Sequence, residues 1–400
     1  MGPNSEQILA ALKANGNNQR AAARDLGIPE STLRGLLRRM DTSILQDPNQ
    51  ILHDKVRRLE EELREANRHT VDDQFVLSKI LTIKDSIDDL PPPRWLSAPE
   101  ARSRVSTSVP TLMLSDLHWG ETVSGKEMGG LNAYDLAIAR KRLDTVVSKA
   151  ISLLRGSIQG EKYPGFVLVL GGDFLTGDIH EELRETNEGT TLQALLDLYE
   201  CMISQIDLLQ REFGKVYVPC EPGNHGRTTH KPRYKRRNAS NMDWLLYQFL
   251  ARHYQNNPNV IVDAPVTPEM NFQVLGHTYH LCHGDQLGKG GDGIIGFVGP
   301  VIRGDHRRRS LQAQINRPYD TLLHGHYHTY MATKKFISNG SLIGYSEYSA
   351  GFGFGFELPQ QAFWLTHADH GITFSMPVHA ESVIKPEPKA WVSFEEAACR

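Results

Sequence analysis

Five short polar clusters interrupt this chain, each built from residues that bind metal ions or move protons. They are Asp116-Leu117-His118, Gly171-Gly172-Asp173, Gly223-Asn224-His225, His283-Gly284-Asp285 and His324-Gly325-His326-Tyr327-His328. Histidine is the commonest metal ligand, and the chain has 17 of them. Carboxylates, imidazoles and one amide, with no thiolate, form a mixed nitrogen and oxygen donor set. Such a set suits Mn, Fe or Zn better than Mg or Ca. The cysteines Cys201, Cys220, Cys282 and Cys399 show no CxxC spacing, so a thiolate zinc site is not expected.

Elements capable of positioning these residues precede them. Thr111–Ser115, Phe166–Leu170, Lys215–Pro219, Thr278–Cys282 and Thr321–Leu323 read as short apolar strands, and each is followed by one of the clusters. Helical stretches alternate with them, which predicts an α/β fold. In such folds ligands assemble beyond the strand ends. One DxH or GNH motif means little, but five in order, each after a strand, make a strong signal.

The order D-x-H, GD, GNH, H, GHxH over about residues 111–374 resembles the calcineurin-like metallophosphoesterase family. Ser115–Gly120, SDLHWG, is similar to the SDLHLG of its nuclease branch. The resemblance implies a four-layer αββα sandwich holding two divalent ions, with manganese expected first and iron or zinc as alternatives. It implies Asp116, His118 and His328 at one ion, Asn224, His283 and His326 at the other, and Asp173 bridging them. Two ions about 3.5–4 Å apart create a nucleophile at neutral pH and neutralise phosphoryl oxygens. A hydroxide between them would attack phosphorus in line. His225 matches the family's non-ligand histidine, which assists the leaving oxygen. The family commonly has an acid after this histidine, whereas this chain has Gly226 and Arg227. Asp178 or Asp285 could replace the missing carboxylate. His324 is expected either to support a ligand from behind or to be structural, and His280 to pack in or beside the sheet. Some relatives need a partner ATPase, so that partner is an expectation here too.

The amino-terminal part has a different character. Residues 1–40 carry six Lys/Arg against three acids. Ile8, Leu9 and Leu12 have helical spacing with Ser5 as a candidate cap, and Gly16 ends that helix. Asn17 or Asn18 can cap a second helix that ends at Leu26. Gly27 turns the chain, and Pro29 suits the start of a third helix. The segment GNNQRAAARDLGIPESTLRGLLRR resembles the helix-turn-helix of Fis-type DNA-binding families. Its third helix would offer Ser31, Thr32, Arg34, Arg38 and Arg39 to DNA. The plainer reading is a three-helix cap. Leu52, Val56, Leu59, Leu63 and Ala66 follow a seven-residue repeat, which suggests a homodimeric coiled coil over 52–66 or a single amphipathic helix.

These readings divide the chain into a helix-turn-helix (1–41), a helical or coiled-coil connector (42–90), a Pro/Ser-rich linker (91–110), a phosphoesterase domain (111–376) and a tail (377–400). Net charge is −3, yet residues 227–237 hold six Lys/Arg and no acid. Arg227, Lys231, Arg233, Lys235, Arg236 and Arg237, with a second group at Arg307, Arg308 and Arg309, are candidate nucleic-acid contacts, and Tyr234 could stack on a base. A solvated loop is the alternative. Gly288–Gly299 is glycine-rich and could form a lid. No apolar run approaches the roughly 18 residues of a membrane span, and MGPNSEQ carries no secretion signal. A cytoplasmic location is therefore expected. The function expected from the whole is a two-metal nuclease acting on DNA. A phosphomonoesterase or protein phosphatase is one alternative, and a DNA-binding regulator with a nucleotide-hydrolysing domain is another.

Overall fold

A computed structural model describes residues 3–38, 108–157, 162–288 and 296–381. The 52–66 heptads, the 42–90 connector, Arg39, residues 289–295 of the glycine-rich stretch and Cys399 lie outside the described residues. The described residues fall into two compact units, one within residues 1–76 and one within 77–400.

The first unit contains α1 (Ser5–Ala14), α2 (Gln19–Asp25) and α3 (Glu30–Leu37). Asn4, not Ser5, caps α1: its side chain accepts from the Gln7 amide, and Gln7 returns the bond to the Asn4 amide. This reciprocal pair satisfies two helix-end donors that Ser5, one residue inside, could not reach. Asn18 caps α2 through the amides of Arg20 and Ala21 at 3.1 and 3.2 Å. Gly27 takes φ +63° in the turn before α3. Ile8, Leu12, Ala22, Ala23, Leu33 and Leu37 close a small core. Replacing Asn18 by Ala should cost about 1 kcal/mol locally. Faster hydrogen exchange at the α2 amides would register that loss, and unchanged exchange would count against the cap.

In the second unit, β1 (Ser108–Leu114), β2 (Phe166–Leu170), β3 (Val216–Pro219) and β4 (Val260–Asp263) lie side by side in parallel. Two antiparallel strands, β10 (Gln360–His367) and β11 (Gly371–His379), extend the sheet beyond β1 in the order β11-β10-β1-β2-β3-β4. The second sheet has the order β5-β6-β7-β9-β8, from β5 (Met270–Val274), β6 (His277–Leu281), β7 (Thr321–His324), β8 (Met331–Ala332) and β9 (Phe336–Ser338). Of these, β6, β7 and β9 are parallel. Strands β1 and β2 are buried along their whole length. Sheets covered on both faces demand such continuous apolar runs.

One core joins the two sheets. Val109, Met113, Val167, Val169 and Trp364 of the first pack with Phe272, Tyr279, Leu281, Leu323 and Ile337 of the second. The helices α4 (Leu136–Ser157), α6 (Thr191–Phe213) and α7 (Met242–Tyr254) lie against strands of the first sheet. A short helix, α5 (Glu181–Thr186), precedes α6. On the far side of the second sheet, Val301 of α8 (Val298–Gln314) packs with Leu322 and Phe336. The remaining short helix is α9 (Glu347–Gly351).

Two prolines lie inside strands where the sequence suggests breaks. Pro110 sits in β1, where β10 is paired but the register with β2 has not begun. Pro377 sits in β11, at the sheet edge. A residue without an N–H is tolerated where one flank has no strand to pair with. The strands therefore begin before residue 111 and continue past residue 376.

Candidate metal centre

Parallel β1, β2 and β3 end along one edge of the first sheet, and parallel β6 and β7 end along one edge of the second. Because the sheets share a core, the five following loops converge. The amide of His326 donates to Asp116 Oδ1 at 2.9 Å, and His283 Nδ1 donates to the Gly171 carbonyl at 2.9 Å. Both bonds cross from one sheet to the other.

Ligand atoms gather in three overlapping groups: Asp116, His118 and His328; His118, Asp173 and His225; Asp173, His283 and His326. His328 Nε2 lies 3.4 Å from Asp116 Oδ1, and His283 Nε2 lies 2.9 Å from Asp173 Oδ2. His118 Nε2 and His328 Nε2 face each other at 3.2 Å. Asp116, Asp173 and His283 are essentially without solvent contact.

The backbone is bent to achieve this. Asp116, His118, Asp173, His326 and His328 all have φ between +48° and +70°. Each such residue costs on the order of 1–3 kcal/mol and persists only where its surroundings enforce it. Among residues other than glycine, left-handed backbone is least improbable for Asn, Asp and His. A left-handed residue just past a strand end turns its side chain off the strand line toward a common centre. Neighbouring glycines let the loops touch. A Cβ on Gly223 would fall 2.1 Å from Asp173 Oδ1, and one on Gly325 would fall 2.2 Å from Asp116 Oδ2.

The charge balance of the cluster favours a cation at its centre. Burial works against ionising Asp116 and Asp173, yet the imidazoles of His328 and His283 hold both below the usual carboxylate range. Burial likewise opposes the charge on His118 and His283, but Glu121 raises the first to about 9 and Asp173 the second to about 10. The carboxylates of Asp116, Asp173 and Glu121 thus draw positive charge onto two buried imidazoles, although burial pushes His326 down to about 4. Asn224 Oδ1 is buried with no hydrogen-bond partner. Buried polar atoms normally have one, so an orphaned acceptor on the residue before His225 fits metal ligation. The donor set therefore fits divalent cations.

His225 is held differently from what the sequence suggests. Its Nδ1 donates to the Thr176 carbonyl at 2.9 Å, and its amide donates to Asp173 Oδ1 at 2.7 Å. Asp285 pairs instead with Arg237 at 2.8 Å, so a backbone oxygen does the work expected of Asp178 or Asp285. Burial pushes His225 down to about 4. His324 is buried and also pushed down to about 4 by burial. His280 stacks on Tyr319 at 4.6 Å and bonds Asn271 at 2.6 Å.

Several residues that support the site carry no recognisable motif. Glu121 Oε2 lies 3.2 Å from His118 Nδ1 and orients that ring. Asp243, buried in α7, accepts from the amides of Leu175 and Gly223 and ties two ligand loops together. Asn241 donates to the Gly223 carbonyl at 2.7 Å and accepts from the Asp243 amide. An Asn before the apolar helix MDWLLYQFL is a readable cap signal, though the clamp is not. Ser115 Oγ donates to Asp116 Oδ2 at 2.5 Å and receives Asn339 Nδ2 at 2.8 Å. Gln361 completes this buried network by accepting from the Ser115 amide and from Asn339.

The basic residues divide into two kinds. Lys231, Arg233, Lys235 and Arg236 are exposed beside Tyr234, which is fully exposed. Arg227 instead folds onto the carbonyls of Asn224, Thr229 and His230. Arg308 grips Glu269, and Arg309 binds Asp305 and three carbonyls while stacking on Tyr319 at 4.4 Å. These groups are spent inside the fold because a guanidinium can satisfy several backbone oxygens at once. Arg307 reaches the Leu287 carbonyl at 2.9 Å from an exposed position. In the first unit, Arg34 pairs with Glu30 at 2.8 Å, and Arg38 is exposed.

Residues 5–40 match the family described as bacterial regulatory protein, Fis family. No curated protein matches the chain significantly. Among solved structures, the chain is similar to a Staphylococcus aureus protein provisionally described as a 5'-nucleotidase, crystallised with alpha-ketoglutarate. The identity is 11% and the TM-score 0.30, over 70% of this chain. The match spans 56% of that protein's length. Among the described residues, no helix is long and apolar enough to cross a membrane.

Proposed function

We propose that this chain is a metal-dependent phosphoester hydrolase, acting as a phosphodiesterase on DNA. In this reading residues 111–376 form a four-layer metallophosphoesterase sandwich, and residues 1–41 form a DNA-binding helix-turn-helix. The observation that carries it is the convergence of six candidate ligands, five of them on strained backbone, with the buried, unpartnered Asn224 Oδ1 as the candidate seventh. Asp116, His118 and His328 would hold one divalent ion, Asn224, His283 and His326 a second, with Asp173 common to both. Manganese is the first candidate, with iron or zinc next.

When bound, such ions supply charge neutralisation for phosphoryl oxygens and lower the pKa of water from about 15.7 to about 7. The rest of the chemistry belongs to the chain. Thr176 fixes His225 with its proton on Nδ1, leaving the Nε2 lone pair free. A phosphoester anion beside that ring favours its protonated form and opposes the effect of burial, which prepares it to serve the leaving oxygen. Lys231, Arg233, Lys235 and Arg236 are free to meet flanking phosphates, and Arg227 braces the Asn224 loop.

The Fis-type match favours a second reading, in which the hydrolase is a regulator that acts on a small nucleotide while α3 holds DNA through Ser31, Thr32, Arg34 and Arg38. One experiment separates the two. End-labelled single- and double-stranded DNA, and separately an aryl phosphomonoester, are incubated with the protein and Mn²⁺. Mn²⁺-dependent strand cleavage is the expected result. Hydrolysis of the monoester alone would overturn the nuclease reading and favour the regulator.

A further inference from the structure

The loop after β9 exposes an aromatic cluster that neither the fold nor the ligand set requires. Residues 351–356 read Gly-Phe-Gly-Phe-Gly-Phe. Tyr348, Phe352, Phe354 and Phe356 are each more than half exposed. Three of the rings contact one another: Tyr348 and Phe352 have centroids 4.7 Å apart, and Phe352 and Phe354 are stacked at 6.1 Å, while Phe356 meets Tyr345 at 5.4 Å. The space beside Gly351, Gly353 and Gly355 is open.

This loop is tied to the metal centre at both ends. Before it, the amide of Leu342 donates to the Asp116 carbonyl at 3.0 Å, and buried Arg142 holds the carbonyls of Leu342 and Ile343. After it, Glu357 accepts from the amide of Tyr330, two residues past His328. The aromatic loop thus adjoins the Asp116 and His328 end of the cluster. A basic strap formed by residues 227–237 adjoins the other end, through Arg227 on the Asn224 carbonyl and Arg237 on Asp285.

The geometry points to an aromatic platform that stacks the bases of single-stranded nucleic acid while the ester between bases and strap lies at the ligand cluster. This inference rests on the phosphoesterase reading and specifies its substrate as an unpaired strand. Bases in a duplex are stacked on one another and present no free face, whereas every unpaired base can cover a ring. A second copy of this chain fits the patch poorly. Aromatic side chains offer about 150–250 Å² each, so four rings a little over half exposed present roughly 400 Å². A stable interface needs about 800 Å² per partner.

The test is binding by the full-length chain with metal chelated, so that strands stay intact. Fluorescence anisotropy is read with a short oligothymidylate and with an abasic strand of the same length. The wild type should bind the oligothymidylate more tightly. The pair Phe352→Ala and Phe354→Ala should weaken it by about 10-fold or more and leave the abasic strand unmoved. The pair Phe352→Tyr and Phe354→Tyr should restore binding, which excludes a folding defect. Equal weakening of both strands, or of neither, would overturn the platform. So would an alanine pair that converts a dimer to a monomer in sedimentation. Hydrolysis of a diester with Mn²⁺ is scored separately. Its absence beside base-dependent binding would remove the hydrolytic reading and leave the platform standing.

Discussion

Asp173→Asn is expected to lower Mn²⁺-dependent phosphoester hydrolysis by roughly 10³-fold or more, the largest single-residue effect in the molecule. The reason is geometric as well as electrostatic. Asp173 Oδ1 takes the His225 amide, while Oδ2 faces His283 Nε2. Asn keeps an oxygen for the amide but removes the negative charge shared by the two ends of the cluster. Loss of several kcal/mol of charge stabilisation corresponds to about three powers of ten in rate. Metal content by elemental analysis should fall with activity. The rise in melting temperature on adding Mn²⁺ should shrink as well, because an ion stabilises a fold only as far as it binds. A variant that retained both full metal content and full activity would remove Asp173 from the common position.

His225→Ala should behave differently, and the contrast tests the division of labour. It should lower kcat by about 10²–10⁴-fold while leaving metal content unchanged. His225 is fixed through Thr176 and through its own amide, so removing the ring leaves the ligand loops tied together by Asp243. The loss should be large for a diester with an alkyl leaving group and small for one with an aryl leaving group. An aryl oxide departs without help from a proton, and an alkyl oxide does not. Equal losses on both substrates would show that His225 stabilises charge elsewhere on the phosphoryl group.

The failure of the expected carboxylate beside His225 shows how such readings go astray. With Gly226 and Arg227 following the histidine, another acid is expected, and Asp178 and Asp285, each beside a ligand loop, are the candidates the sequence offers. The actual partner is a peptide oxygen, which every residue possesses and no letter announces. Arg308 and Arg309 teach the same lesson for charge. A basic run has the same composition whether it faces phosphate or folds back onto Glu269, Asp305 and carbonyl oxygens. Only the positions of those acceptors decide, and some of them, such as Glu269 and the Lys335 carbonyl, come from other segments of the chain.

The sequence by itself determined the donor types, their order, and their places just past apolar strands. Those are local properties: a buried parallel strand must be apolar along its length, and a polar residue next to it must lie at its end. It also determined the small helical unit, whose caps and glycine turn act within a few residues. What only the tertiary structure decided is the direction of each side chain and what stands opposite it. Left-handed backbone at Asp116, His118, Asp173, His326 and His328 depends on two sheets meeting face to face. The opposition of Asp173 and His283, the Asp243 clamp and the Asn339–Gln361 bond join residues 20 to 110 positions apart. No local rule specifies such pairs, because their energy exists only once the chain has closed on itself.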